Sequence, residues 1–207
     1  MPPGYNPEAR SYPILYVNDG SDYIKLGKMV NVLDNLLSGN KIHPLVVVFI
    51  DPVDRMKEYD MSDTYLQMLA EELIPFIEKK YGGPGSTEKR GIMGPSLGGL
   101  ISLYAGLKFP GLFGFVAGQS SSIQFHKQAI ISLYNESEPV TTKIYLDWGA
   151  YESTRDLSVQ FVKMLQSKGY RIIHKEYNEG HSWGNWRAHL DDILVAFVGT
   201  QSLQFVD

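Results

Sequence analysis

The chain alternates short apolar runs with longer stretches whose apolar residues recur at helical spacing. The runs at 12–17 (YPILYV) and 45–50 (LVVVFI) are almost continuously apolar, as is typical of strands that are covered on both faces. They end in NDG at 18–20 and DP at 51–52, which are turn sequences. Because strands alternate with helical stretches, we predict an α/β fold of mostly parallel strands with helices on both faces. The two runs are predicted to be neighbouring central strands.

Further elements predict a sheet of about six strands. Strands are predicted at 90–93, 114–118, 143–147 and 170–177, and helices at 24–37, 62–81, 154–167 and 186–198. Another helix is expected to follow the glycine-rich turn at 94–99. Pro75 is expected to kink the helix that starts near Ser62, since proline cannot donate a backbone hydrogen bond. Because the sequence contains no linker or repeat, residues 1–207 are predicted to form one domain.

Composition narrows the range of partners and of chemistry. Acidic residues number 23 and basic residues 19, and the net charge of −4 is opposite in sign to that of most nucleic-acid-binding proteins. The chain has no cysteine, which excludes disulfides, thiolate nucleophiles and cysteine-ligated metals. No stretch has the roughly 18 apolar residues that span a membrane, and the start lacks an apolar signal segment. We therefore expect a cytoplasmic protein without nucleic-acid or membrane partners.

The residues GPSLGG at 94–99 match the pattern G-x-S-x-G between a predicted strand and a predicted helix. A serine on such a sharp turn is exposed as a nucleophile, and Gly94 and Gly98 relieve the crowding that the turn creates. The N–H of Leu97, at the start of the helix, is then placed to stabilise an oxyanion. A tight turn alone also explains the glycines, so the interpretation of Ser96 as a nucleophile depends on finding a general base.

His181 is the best candidate for that base among the 5 histidines. It lies in GHSWGNW, directly after the last predicted strand, and ligands of open parallel sheets bind at the carboxyl ends of the strands. The other histidines lie in or beside predicted strands and helices, where surface or packing roles explain them. We therefore predict that His181 accepts the proton of Ser96.

The third member of such a site is an acid that orients the imidazole, and in this arrangement it lies between the serine and the histidine in the sequence. Glu152 and Asp156 both lie just beyond the strand that ends near Asp147. Glu152 is the first choice. Asp156 is explained as well by a place in the first turn of the next helix, where a carboxylate interacts favourably with the helix dipole. The residues alone leave the choice between Glu152 and Asp156 open.

Several motifs, in order along the chain, resemble those of the esterase D-like family of α/β-hydrolases. This family includes enterochelin (siderophore) esterases, feruloyl and acetyl xylan esterases and S-formylglutathione hydrolases. The motifs are PPGY at 2–5, YPILYVNDG at 12–20, DRMKEY at 54–59, GPSLGG at 94–99, LDWGAYE at 146–152 and GHSWGNW at 180–186. The resemblance covers almost the whole chain and implies the α/β-hydrolase fold. It is strongest to the siderophore and carbohydrate esterase branch.

The resemblance also implies roles for residues around the nucleophile. The family's acid ends a G-x-x-D or G-x-x-E turn, which corresponds to residues 149–152 and implies that Glu152 is the acid. The family's second oxyanion donor is the amide of the residue that follows the strand-ending Asp-Gly. In this sequence that residue is Ser21. The backbone N–H groups of Leu97 and Ser21 are therefore expected to form the oxyanion hole together.

Candidate substrate-binding residues follow from the same resemblance. Arg55, Glu58 and Tyr59 match the family's R-x-x-E-Y segment, which lines the cleft, and Arg55 is a candidate to neutralise an acidic or catecholate substrate. A solvated Arg–Glu pair is an equally good explanation of this segment. Trp183 is a candidate for stacking on an aromatic or sugar group. Trp186 belongs to an apolar helix stripe and is expected to lie in the core.

The chain departs from the family at its start and in its connections. Most members have antiparallel strands before the PPGY motif, which stands here at residues 2–5, so we expect those amino-terminal strands to be missing. We therefore expect a smaller sheet with an exposed edge, in a monomer or in a homodimer paired along that edge. The connections between strands are short and leave little sequence for a lid, so an open, shallow site is expected.

The leading hypothesis is a serine esterase that hydrolyses a small-molecule or carbohydrate-linked ester through an acyl-enzyme. No cofactor and no metal are expected, because the H-E-x-x-H, Walker and dinucleotide-binding patterns are missing from the sequence. An acyltransferase that uses the same intermediate is one alternative. A non-catalytic binding module of the same fold is another. The sequence does not identify the natural ester.

Overall fold

A computed structural model, which describes residues 1–8 and 11–201, contains a sheet of six parallel strands. The strands are β1 (Ile14–Asn18), β2 (Val46–Ile50), β3 (Arg90–Pro95), β4 (Phe115–Gln119), β5 (Lys143–Gly149) and β6 (Ile172–Tyr177). Their order across the sheet is β2-β1-β3-β4-β5-β6. The predicted α/β architecture of about six strands is confirmed.

Helices connect the strands and cover both faces of the sheet. They are α1 (Gly20–Lys25), α2 (Met29–Ser38), α3 (Arg55–Tyr59), α4 (Asp63–Gln67), α5 (Ile74–Tyr81), α6 (Leu97–Lys108), α7 (Phe125–Glu136), α8 (Arg155–Ser167), α9 (Trp183–Ala188) and α10 (Leu190–Val198). A π-helical segment, Met68–Leu73, joins α4 to α5, and a 3₁₀ turn, Thr87–Lys89, precedes β3.

Alternate side chains of β1 enter cores on opposite faces of the sheet. Ile14 and Tyr16 pack in the core that includes buried residues of α4 to α8. Leu15 and Val17 pack in the second core, with residues of α1, α2 and α10. All four side chains are buried, which explains why the run is apolar at consecutive positions instead of alternating.

The expectation that β2 is a central strand is wrong. β2 pairs with β1 in the register Ile14↔Val46, whereas β3 occupies the other side of β1. Within the described ranges no strand pairs with the outer edge of β2. A continuous apolar run indicates that both faces of a strand are covered, and it carries no information about the hydrogen-bonding edges. β2 is therefore one of the two edge strands of the described sheet, and β6 is the other.

Two predicted helices differ in detail from the structure. The stretch 24–37 forms two helices, α1 and α2, because Gly27 and Lys28 turn the chain between them and Lys28 has a φ of 51°. The stretch 62–81 is helical throughout, but it widens into the π-helical segment before Pro75. The wider turn accommodates the proline ring, whose nitrogen has no hydrogen to donate.

Three further helical regions also differ from the prediction. The predicted helix 186–198 begins earlier, at Trp183, and is interrupted at His189, where φ is −124°. Helices α3 and α7 lie where the sequence predicts no helix. In α7, residues 126–128 have positive φ values, so regular helical geometry begins only after them.

A buried polar network fixes the carboxyl end of β1 against two helices. The Asn18 side chain is fully buried, donates to Ser102 Oγ of α6 at 3.0 Å and accepts from the Tyr65 hydroxyl of α4 at 2.6 Å. Asn18 immediately precedes the NDG turn, so this network determines where the loop after β1 begins.

We predict that Tyr65→Phe destabilises the protein by about 1–3 kcal/mol, because it leaves the buried Asn18 oxygen without a donor. Urea unfolding measures the change. The matched control is Tyr104→Phe, which removes an exposed hydroxyl that donates to Asp63 and is expected to cost less than about 0.5 kcal/mol. Equal losses in the two variants would show that the buried network does not stabilise the fold.

Candidate active site

The predicted nucleophile, base and acid lie on loops at the carboxyl edge of the sheet. Ser96 follows β3 directly, Glu152 lies just beyond β5, and His181 lies just beyond β6. Because neighbouring parallel strands end at the same edge, residues far apart in the sequence meet there. The structure brings all three side chains together.

The backbone at Ser96 has a strained conformation, with φ 55° and ψ −116°. Gly94 and Gly98 are both required by the turn that produces it. A Cβ atom at Gly94 would lie 2.5 Å from the Gly98 carbonyl carbon, and one at Gly98 would lie 2.9 Å from a carboxylate oxygen of Asp19. Helix α6 begins at Leu97, so the first N–H of the helix has no intrahelical acceptor and lies beside the Ser96 hydroxyl.

Hydrogen bonds join Ser96, His181 and Glu152 into one chain. Ser96 Oγ lies 3.1 Å from His181 Nε2, and His181 Nδ1 lies 3.0 Å from Glu152 Oε2. The Glu152 side chain is 1% exposed, whereas that of His181 is 45% exposed. The acid is thus enclosed by protein, and the imidazole is partly exposed to solvent.

Several donors converge on the buried carboxylate of Glu152. Its Oε1 accepts from the Gly149 N–H at 2.7 Å and from the Ser120 hydroxyl at 2.5 Å. Burial raises the pKa of Glu152, but hydrogen bonds from His181, Ser120 and Gly149 outweigh it and lower the pKa below its ordinary value. The group is therefore ionised at neutral pH, as a partner of an imidazolium must be.

Ser120 and Trp186 complete this network, and sequence reasoning missed both roles. The indole N–H of Trp186 donates to Ser120 Oγ at 2.9 Å, and its ring packs edge-on against His181 with centroids 5.1 Å apart. Trp186 is buried, as predicted, but it also contacts two members of the site. Ser122 lies on the same loop after β4, and its Oγ is 3.0 Å from Ser96 Oγ. The run QSSS after a predicted strand was the available signal.

Asp156, the alternative acid, does not reach His181. Its side chain is 83% exposed and pairs with Arg155 at 2.9 Å in the first turn of α8. Asp156 thus lies in the first turn of a helix, where a carboxylate interacts favourably with the helix dipole.

Ser21 makes hydrogen bonds that differ from those expected of an oxyanion donor. Its N–H donates to Asp51 Oδ1 at 2.7 Å, and its hydroxyl donates to Asp51 Oδ2. The reason is local: α1 is starting at this point, its first amides lack partners, and the carboxylate that follows β2 caps one of them. The Ser21 N–H is therefore already paired, whereas the Leu97 N–H has no intrahelical acceptor.

The guanidinium of Arg55 is already paired with a carboxylate. Its guanidinium forms a bidentate pair with Asp19, at 2.7 and 2.8 Å, and donates to the Pro95 carbonyl at 3.3 Å. Burial lowers the pKa of Arg55, but the Asp19 hydrogen bonds, with smaller contributions from Tyr59 and Asp22, raise it overall. The pair therefore supports the turn at Ser96 by linking the loop after β1 to the end of β3.

Glu58 and Tyr59, which the resemblance implies to be substrate-binding residues, make their hydrogen bonds to neighbouring loop backbone. Tyr59 is 0% exposed, and its hydroxyl accepts from the Asp19 N–H at 3.0 Å. The Glu58 carboxylate accepts from the N–H groups of Val53 and Asp54 and so caps the loop before α3. Both residues shape the loop that carries Arg55, and neither lines a cleft at Ser96.

Two open clefts meet at Ser96. The first, the His181 cleft, has a volume of about 290 Å³ and is lined by Leu97, Ser122, Phe125, Thr154 and His181 among others. The second, the Trp183 cleft, has a volume of about 210 Å³. It is lined by Asp19, Asp22, Arg55, Pro95, Ser96, Trp183 and Trp186. A larger cavity of about 430 Å³ lies at the amino ends of the strands, far from this chemistry.

The described residues offer neither a cluster of metal ligands nor a membrane-spanning helix. Within residues 1–8 and 11–201, no three His, Asp or Glu side chains are grouped so that they would hold a metal ion. Over the same ranges, no helix is long and apolar enough to cross a bilayer.

A serine on a strand–turn–helix corner, followed in sequence by a carboxylate and an imidazole on later strands, defines the α/β-hydrolase class. Comparison with known proteins identifies the family within that class. The profile of the Esterase family matches residues 1–197, and the chain belongs to this family.

Relatives are known by sequence and by structure. The chain is 28% identical over 195 residues to the uncharacterized protein YbbA of Bacillus subtilis, a match that covers 86% of this chain and 76% of YbbA. It is 29% identical to the iron(III) enterobactin esterase of Escherichia coli O6:H1, over 90% of this chain and 50% of that protein.

Solved structures show the same fold. The enterobactin esterase of Shigella flexneri, crystallised with enterobactin, matches with a TM-score of 0.83 and 25% identity, over 93% of this chain and 52% of that one. A ferulic acid esterase matches with a TM-score of 0.84 and 19% identity, over 96% of this chain and 90% of that one. The chain spans about half the length of the enterobactin esterases that it matches.

We predict that Gly94→Ala destabilises the protein by about 1–3 kcal/mol and removes most activity, because the new methyl group collides with the backbone of Gly98. Thermal unfolding and ester hydrolysis are measured together. Gly184→Ala is the matched control, since its nearest new contact is 3.4 Å and it lies in helix α9. Unaltered stability in Gly94→Ala would contradict this account of the turn.

Proposed function

We propose that this member of the Esterase family is a serine esterase in which Ser96, His181 and Glu152 form the catalytic triad. The observation that carries the proposal is the hydrogen-bond chain from Ser96 Oγ through the His181 ring to the buried Glu152 carboxylate. A serine hydroxyl alone is a weak nucleophile near neutral pH, and this arrangement supplies the base that activates it.

In the proposed mechanism each group carries out one step. Ser96 Oγ attacks the ester carbonyl carbon while its proton passes to His181 Nε2, and the Leu97 N–H stabilises the oxyanion that forms. His181 then donates the proton to the leaving alcohol, which departs and leaves an acyl-enzyme. Water, activated by the same imidazole, attacks the acyl carbon and releases the acid and free Ser96. Glu152 holds the imidazole in the tautomer that the first step requires.

Water is the acceptor that the structure favours. The His181 side chain is 45% exposed, and two open clefts reach Ser96, so solvent approaches the acyl-enzyme directly. Membership in the Esterase family supports the same reaction, and two of the relatives described above are named enterobactin esterase and ferulic acid esterase. We propose small carboxylic esters as the substrate class.

We predict that Ser96→Ala lowers kcat for p-nitrophenyl acetate by about 10⁴- to 10⁶-fold while the protein stays folded. The loss follows because Ser96 carries the one hydroxyl bonded to His181 within residues 1–8 and 11–201. Circular dichroism verifies the fold, and labelling with a fluorophosphonate probe provides a second test. The wild type should be labelled on Ser96, and a fully active or equally labelled Ser96→Ala variant would remove Ser96 from the mechanism.

We predict that Glu152→Gln lowers kcat by about 10²- to 10⁴-fold, because the amide replaces an ion that stabilises the imidazolium. Asp156→Asn is the matched control, since it makes the same change at a carboxylate exposed on α8. It should retain kcat within about twofold. The reverse pattern would identify Asp156 as the acid.

A further inference from the structure

The Trp183 cleft, defined above by its lining, contains an excess of negative charge. Asp19 and Asp22 contribute two carboxylates, and Arg55 is the one permanent cation among the described residues that line either cleft. Because Arg55 is bonded in bidentate fashion to Asp19, the two charges compensate each other. The exposed carboxylate of Asp22 then sets the sign of the field in the cleft.

The opposite wall of this cleft is aromatic. The indoles of Trp183 and Trp186 meet at 80°, with their ring centroids 5.0 Å apart, and form a corner beside Ser96. Trp183 is also held edge-on by the buried ring of Tyr23 at 5.1 Å, so its orientation is fixed. Aromatic faces attract cations, and a ring with a fixed orientation loses little entropy when a ligand binds.

We propose that the Trp183 cleft selects ester substrates whose group in that cleft is cationic, such as a quaternary ammonium, over neutral groups of the same shape. Anionic groups are the least favoured. The inference rests on the proposed function, because it requires that Ser96 be the nucleophile. The contacts that determine the preference are the Asp22 carboxylate and the Trp183 ring.

This selectivity reverses the expectation attached to Arg55. An unpaired guanidinium beside Ser96 would attract an acidic or catecholate substrate. Because Asp19 accepts from both Nε and Nη2 of Arg55, the guanidinium has little attraction left for a substrate anion. An anion in the cleft would instead meet Asp22 without a compensating charge.

The test uses reversible inhibitors that differ in charge and share a reactive ketone. Trifluoroacetophenones with a meta-trimethylammonio, meta-tert-butyl or meta-carboxylate group form hemiketals with an activated serine, and the first two have nearly the same shape. Their rings are free to enter either cleft. Inhibition constants are measured against p-nitrophenyl acetate hydrolysis at low and at high salt.

We expect the trimethylammonio compound to bind about three- to tenfold more tightly than the tert-butyl compound, and the carboxylate to bind most weakly. In the Asp22→Asn variant, the ratio of the inhibition constant of the tert-butyl compound to that of the trimethylammonio compound should fall below about twofold. The matched control Asp34→Asn removes a carboxylate of α2 outside both clefts and should leave the ratio unchanged. High salt should reduce the ratio in the wild type, because Asp22 is exposed.

The outcomes separate this inference from the proposed function. Equal inhibition constants, tightest binding of the carboxylate, an unchanged ratio in Asp22→Asn, or no inhibition by any of the three compounds while p-nitrophenyl acetate is hydrolysed would overturn the charge selectivity alone. Hydrolysis that survives Ser96→Ala would overturn the proposed function and the inference with it.

Discussion

The site depends on the parallel arrangement of β3, β4, β5 and β6, because parallel strands end at one edge of the sheet. β4 separates β3 from β5, and the loop after it supplies Ser120 and Ser122 between the nucleophile and the acid. The register Gln119↔Asp147 places the end of β4 level with β5, close to the turn that bears Glu152. The same hydrogen bonds that build the sheet thus determine the distances within the site. A shift in register would separate the serine from its partners.

The order of the residues made part of this arrangement predictable. A small-residue turn between a strand and a helix indicated Ser96, and a loop after the last strand indicated His181. Both inferences need only the position of the residue after a strand, because the carboxyl ends of parallel strands lie at the same edge of the sheet. Glu152 and Asp156 could not be separated in this way, because both follow β5. Their difference lies in the turn at 149–152, which directs Glu152 inward and leaves Asp156 on the surface of α8.

Contacts between loops were not predictable from sequence. The pair of Asp51 with Ser21, and that of Asp19 with Arg55, join segments that follow different strands, and nothing in either segment specifies its partner. The serine run after a predicted strand indicated that Ser120 lies at the carboxyl edge of the sheet, but nothing in that run specified its bond to Glu152. These contacts nevertheless control the chemistry. The donors around Glu152 lower its pKa although burial raises it, and Asp19 compensates the charge of Arg55.

The central claim is that the Ser96 oxygen becomes covalently acylated during turnover. Rapid mixing of the wild-type protein with p-nitrophenyl acetate, followed by acid quench, proteolysis and mass spectrometry, tests it most directly. The account predicts that the peptide containing Ser96 gains the mass of one acetyl group in the first turnover and loses it as substrate is exhausted. Turnover without an acylated peptide, or an acetyl group that accumulates on another residue and is released at the rate of turnover, would contradict it.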